Sequence, residues 1–145
     1  MEHLRMAPTR LQVRDVMSRD VHTVKRNDQL AIADALMKQE RVRHLPVLDE
    51  DGEVCAVVSQ RDLFRGALLR VLGYGSRAEE LMLRHVVVKE AMSAEIQTTT
   101  PDTLVADAAR LMIERKIGCL PVIESGRLVG IVTETDFVRL VAEAR

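Results

Sequence analysis

Residues 119–136 read Cys119-Leu120-Pro121-Val122-Ile123-Glu124-Ser125-Gly126-Arg127-Leu128-Val129-Gly130-Ile131-Val132-Thr133-Glu134-Thr135-Asp136. Two apolar runs flank Glu124-Ser125-Gly126-Arg127, and glycine in so short a connection supplies the positive φ of a tight hairpin turn. The second run feeds at once into Thr133-Glu134-Thr135-Asp136, a helix start, and the helix is predicted to run to Arg145. The same order occurs earlier in the chain. His44-Leu45-Pro46-Val47-Leu48 leads through Asp49-Glu50-Asp51-Gly52-Glu53 into Val54-Cys55-Ala56-Val57-Val58, and then into a helix start at Ser59-Gln60-Arg61-Asp62.

Working outward, residues 13–47 lie over residues 88–122 at a constant offset of 75. Met17-Ser18 falls on Met92-Ser93, Thr23 on Thr98, Ala33 on Ala108, and Leu45-Pro46-Val47 on Leu120-Pro121-Val122. The second turn is one residue shorter, so beyond it the offset is 74, with Gly52 on Gly126, Ser59 on Thr133 and Asp62 on Asp136. Matches at turns, apolar faces and one polar pair are what a duplicated supersecondary unit retains in order to keep a core.

Each copy begins with a short amphipathic turn, Val13 to Met17 or Val88 to Met92, and a brief extended stretch at Val21-His22-Thr23 or Ile96-Gln97-Thr98. A helix follows. Leu30, Ala33, Leu36 and Met37 share one face in the first copy, as do Val105, Ala108, Leu111 and Met112 in the second. Asn27-Asp28 and Pro101-Asp102-Thr103 are the predicted helix starts. The closing helix of the first copy is predicted to continue through Leu63, Phe64, Ala67, Leu68 and Val71. Between the copies, Gly73-Tyr74-Gly75-Ser76 is a break and Arg77 to Val87 a further helical stretch with Leu81 and Met82 apolar. The organisation is therefore an extension at 1–12, a first repeat at 13–72, a linker with a helical insert at 73–87 and a second repeat at 88–145.

The 145 residues are 47% hydrophobic, enough apolar surface for a real core. Phe64, Tyr74 and Phe137 are the only aromatics, so the stacking platforms of single-stranded nucleic-acid binders are missing. A net charge of −1 gives no general attraction to phosphate backbones, and no nucleic acid is expected as a partner. Met1 to Arg10 lacks the apolar centre of a secretory signal, and no apolar run is long enough to span a bilayer. A soluble cytoplasmic protein with no membrane partner is the expectation. Cys55 and Cys119 occupy non-equivalent places in the repeats, which argues for two free thiols rather than a paired framework.

The order β–α–β–β–α resembles a known module when Leu45-Pro46-Val47 and Leu120-Pro121-Val122 on the first hairpin strands are read with Gly130-Ile131-Val132-Thr133 and Asp136, all in tandem. It is similar to the CBS domain pair, or Bateman module, the regulatory module named for cystathionine β-synthase. The likeness covers residues 13–145 and implies a small stand-alone bacterial member, with no attached catalytic, transporter or channel domain expected. It implies an α/β (α+β) fold in which the two repeats pack through their sheets about a pseudo-twofold axis. It further implies a flat homodimer formed through the helices after Asp62 and Asp136, where Leu63, Phe64, Phe137 and Leu140 suit an interface.

Ser59 with Asp62 and Thr133 with Asp136 share the pattern Ser/Thr-x-x-Asp at a strand-to-helix junction. One reading is structural: a hydroxyl followed three residues later by a carboxylate is close to a capping box. The other is functional, since a helix start presents free N–H groups to phosphate and a carboxylate accepts paired hydrogen bonds from a ribose diol. The resemblance implies the second. Asp62 and Asp136 would then hold ribose, with Ser59 and Thr133 toward phosphate. Adenine would lie among Val21, His22, Thr23, Arg43, His44 and Pro46 in one site, and among Ile96, Gln97, Thr98, Gly118, Cys119 and Pro121 in the other.

In several relatives, side chains at the places of Arg43 and His44 reach the phosphate bound by the other repeat, which assigns them to the site of Asp136 and leaves Arg61 to that of Asp62. The alternative for Arg43 and Arg61 is solvated or paired surface charge. His44 and Cys119 would make only two ligands of a metal site, so no metal is expected. A reactive Cys119 would need Arg43 to lower its pKa.

Three function classes follow. The first is a sensor for an adenine nucleotide (AMP, ADP, ATP) or a related adenosyl compound in the cleft between the repeats. It would have no obligatory cofactor and would signal through dimer geometry or an effector protein in trans. The second is a non-liganded dimeric scaffold in which the Ser/Thr-x-x-Asp pairs only cap helices. An enzyme is third, because no nucleophile–base constellation, glycine-rich phosphate loop or acid–base carboxylate pair is visible.

Overall fold

The computed structural model describes residues 10–63, 73 and 75–143. The expected continuation of the first closing helix through Phe64, Ala67, Leu68 and Val71 lies outside these residues, as do Tyr74, residues 1–9 and the chain end beyond Glu143. The elements are α1 (Val13–Val16), β1 (Val24–Lys25), α2 (Leu30–Glu40), β2 (His44–Leu48), β3 (Val54–Ser59), α3 (described over 60–63) and α4 (Gly75–His85). They continue as α5 (Val88–Ala91), α6 (Val105–Arg115), β4 (Cys119–Glu124), β5 (Arg127–Thr133) and α7 (Glu134–Glu143). Among the described residues no helix is long and apolar enough to cross a membrane.

Two compact units form, and their limits are not those of the repeats. One comprises residues 22–96, the other residues 1–21 with 97–145. In the first, β1 runs parallel and β3 antiparallel to β2, with His44 opposite Ser59 and Pro46 opposite Val57. In the second, β4 and β5 are antiparallel, Cys119 faces Thr133, and Thr99 forms a single parallel bridge to Val122 where the first unit has β1. The β4–β5 turn has positive φ at both Ser125 (52°) and Gly126 (77°), as a two-residue hairpin loop requires. The longer β2–β3 turn is pinned by Asp49, whose Oδ1 accepts the N–H groups of Asp51 (2.9 Å) and Glu53 (3.0 Å).

The opening segment of each repeat lies in the unit built around the other repeat's hairpin. Ser93 pairs with Val57 in the first unit, and Ser18 pairs with Ile131 in the second. Val88 N–H donates to the Asp28 carbonyl and Lys89 N–H to that of Arg26; one repeat on, Val13 N–H donates to Thr103 and Arg14 N–H to Pro101. These bonds also explain a departure from expectation at the helix starts. α2 and α6 begin after Gln29 and Leu104, neither of which caps with its side chain. Their first N–H groups donate instead to Val86 (Leu30, 2.8 Å) and Leu11 (Val105, 2.8 Å), residues carried in by the exchanged segment. Asp28 forms a turn, its Oδ2 accepting the Lys25 N–H at 2.8 Å.

Each unit has its own core. Leu30, Ala33 and Met37 of α2 pack with Leu45, Val47, Ala56, Val58 and the incoming Val88 and Ala91. Ala108 and Met112 of α6 pack with Leu120, Val122, Val132 and the incoming Val13. The linker helix α4 packs against α2, with Leu83 on the first core and Leu81 exposed.

Two of the residues expected at a dimer interface also serve the fold of the single chain. Leu63 and Phe137 are half-buried against the first and second core respectively, because the first turn of each closing helix must cover its own sheet. The large apolar side chains that α7 exposes are Val138 (68%) and Val141 (75%).

Candidate functional site

The hairpin register brings the candidate residues together. Because His44 pairs with Ser59 and Cys119 with Thr133, the residue before each first strand meets the first residue of the closing helix. Gln60 N–H donates to the Arg43 carbonyl at 2.7 Å, and Glu134 N–H to the Gly118 carbonyl at 3.2 Å. On the far side of each first strand runs the extended segment that follows Thr23 or contains Thr98. Val24 is in register with Val47, and Thr99 N–H donates to the Pro121 carbonyl at 3.0 Å. Each unit therefore gathers one threonine-bearing segment, one strand start and one helix start along a single sheet end.

At the helix start, Asp62 Oδ2 accepts the Ser59 N–H at 2.7 Å and the Ser59 hydroxyl at 3.1 Å. Asp136 Oδ2 accepts the Thr133 N–H at 2.8 Å and the Thr133 hydroxyl at 3.4 Å. This is half of a capping box. The carboxylate reaches back to the strand-end N–H, whereas the hydroxyl donates to the carboxylate instead of accepting from the helix. One oxygen of each carboxylate, Oδ2, is thus committed to the fold. Asp136 is 11% exposed, and its Oδ1 lies 3.5 Å from the Arg139 guanidinium.

The remaining candidates differ in character. Arg43 and Arg61 are exposed, His44 half-buried, Pro46 and Pro121 fully buried, Gly118 half-buried and Thr98 exposed. His22 Nε2 lies 3.4 Å from Glu40 Oε2, an ion pair when the imidazole is protonated. Val21 and Ile96 are the last residues before the two crossings of the chain between units. Cys119 is not a reactive thiol. It is buried, and that burial pushes its thiol up to about 12, away from the thiolate.

Residues 13–68 and 88–143 each match the CBS domain, 56 residues apiece of a conserved family pattern. The chain belongs to the CBS domain family. This tandem CBS chain is 33% identical over 124 residues to the CBS domain-containing protein YhcV of Bacillus subtilis, spanning 86% of this chain and 81% of that protein. The AcuB protein of Vibrio cholerae has a similar structure, with a TM-score of 0.71 and 32% identity over 91% of this chain and 90% of the other. The structure of CBSX2, solved in complex with AMP, superposes with a TM-score of 0.76 at 27% identity, covering 93% of this chain and 99% of that one. Several curated relatives are longer, and the CBS pair spans between 23% and 42% of their length.

Sequence reasoning missed Arg139 of the second CBS repeat. The signal was available, since an acidic and a basic residue three apart on a helix face each other.

Proposed function

We propose that this CBS pair is a regulatory ligand-sensing module for an adenine nucleotide, AMP, ADP or ATP, or a related adenosyl compound. The observation that carries the reading is the repeated helix start, where Asp62 and Asp136 are each anchored through Oδ2, which leaves Oδ1 as the oxygen for a ribose hydroxyl. Support also comes from CBSX2, which shares the fold at 27% identity and was crystallised with AMP. Ser59 and Thr133 flank the helix starts on the phosphate side. Arg43, His44 and Arg61 supply cationic or ionisable groups, while the segments at Val21, His22, Thr23 and Ile96, Gln97, Thr98 line adenine together with Pro46, Gly118, Cys119 and Pro121. Its output is dimer geometry or an effector protein, not a reaction of its own.

Thermal unfolding with and without AMP, ADP, ATP, NAD and S-adenosylmethionine tests the reading. A ligand at a hundredfold excess over its Kd adds about 2.7 kcal/mol of stability. The expected result is a ligand-specific rise in Tm that disappears in the Asp62→Ala/Asp136→Ala protein. If no adenosyl compound shifts Tm and none binds by calorimetric titration, the module is a scaffold whose Asp residues only complete helix starts.

A further inference from the structure

Asp136 uses its two carboxylate oxygens unequally. Oδ2 already accepts two donors from Thr133, which fills the two lone-pair directions of that oxygen, and only Oδ1 has capacity left for an incoming hydroxyl. That oxygen faces Nη1 of Arg139 at 3.5 Å. The guanidinium is 59% exposed while the carboxylate is 11% exposed, so the cation can leave for water and the acid cannot. Asp136 is thus what holds Arg139 in place, through a contact long and exposed enough to be weak.

We infer that Arg139 is an internal competitor for the ribose at Asp136, its guanidinium standing on Oδ1 in the place of a diol donor until a nucleoside displaces it. The inference rests on the ribose role proposed above for Asp136 and adds a residue that sets the affinity of that site. Arg139 acts through Asp136 and is a positioning residue. Its equivalent in the first repeat by sequence, Arg65, lies outside the described residues.

Adenosine is the probe, because an uncharged ligand feels the competition without any direct attraction between a guanidinium and phosphate. Titrations in an Asp62→Asn background confine the measurement to the second site. There, Arg139→Ala is expected to tighten adenosine binding by about two- to fivefold, the scale of one exposed ion pair. Salt screens that pair, so adenosine should bind more tightly to the Arg139-containing protein as ionic strength rises, and the dependence should flatten in Arg139→Ala. Adding Asp136→Asn should erase both effects. Unchanged or weaker binding in Arg139→Ala, with the salt dependence intact, overturns the inference and leaves the sensor reading standing. Absence of adenosyl binding in every variant, the unmodified protein included, overturns both.

Discussion

Met17 lies against the α-carbon of Gly130. A methyl group placed there would come within 2.7 Å of the Met17 sulfur and 3.0 Å of the Ser18 carbonyl oxygen. The thioether can swing aside, but the carbonyl belongs to the bridge that ties Ser18 to Ile131. Gly130→Ala is therefore expected to destabilise the protein by about 1–3 kcal/mol, the usual scale of an overpacked contact. Urea unfolding checks it; a midpoint equal to that of the unmodified protein would mean the opening segment has room to retreat.

Exchange of the opening segments makes the effect of a core substitution appear in the distant repeat. Val13 and Val88 are both fully buried, but in different cores. Val13→Ala should cost about 2 kcal/mol and loosen β4 and β5, whereas Val88→Ala should loosen β2 and β3. Amide hydrogen exchange resolved by segment reads this directly. Faster exchange of β2 and β3 in Val13→Ala would contradict the assignment of that side chain to the second core.

Arg41 and Lys116 close α2 and α6 in the left-handed region, with φ of 55° and 54°. A side chain there costs roughly 1–2 kcal/mol that glycine avoids, partly offset by the greater freedom of glycine in the unfolded chain. Arg41→Gly and Lys116→Gly are each expected to raise stability by up to about 1 kcal/mol. A fall in Tm for either would show that its side chain makes a contact worth more than the backbone strain.

The buried Cys119 sets a pH dependence. Its folded-state thiol stays protonated up to about 12, while in the unfolded chain it ionises near 9.0, as ordinary cysteines do. Above that lower value the unfolded state has lost a proton the folded state retains, so stability falls as pH rises toward 12. Cys119 contributes a slope of about 1.4 kcal/mol per pH unit in that window. Denaturation at several pH values should show a shallower alkaline decline in Cys119→Ala. Identical slopes in the two proteins would remove Cys119 as the cause.

The duplication made most of the architecture legible, because apolar faces such as Leu30, Ala33 and Met37 recur at the positions of Val105, Ala108 and Met112. The pairing of Asp62 with Ser59 and of Asp136 with Thr133 was legible for the same reason. Periodicity does not say which partner a segment meets, however. An offset that maps Val13 onto Val88 is equally satisfied whether each packs on its own repeat or on the other. Asn27-Asp28 and Pro101-Asp102-Thr103 carry good helix-start chemistry, but backbone carbonyls of the exchanged segments met the first helical N–H groups instead. In α7, apolar residues fall on more than one face, so sequence alone could not decide that Phe137 turns inward and Val138 outward.

The exchanged segments bear on how such a chain could arise. In the duplicated chain the opening segment of each repeat completes the core of the other, and two separate copies of one repeat could complete each other's cores in the same way. Joining the copies in one gene replaces a concentration-dependent encounter with a tether, which holds each donor segment at a high effective concentration near its acceptor. The doubled gene would then be freed from obligatory self-association in order to fold. Its two halves could afterwards diverge, as the contrast between Arg43-His44 and Gly118-Cys119 illustrates.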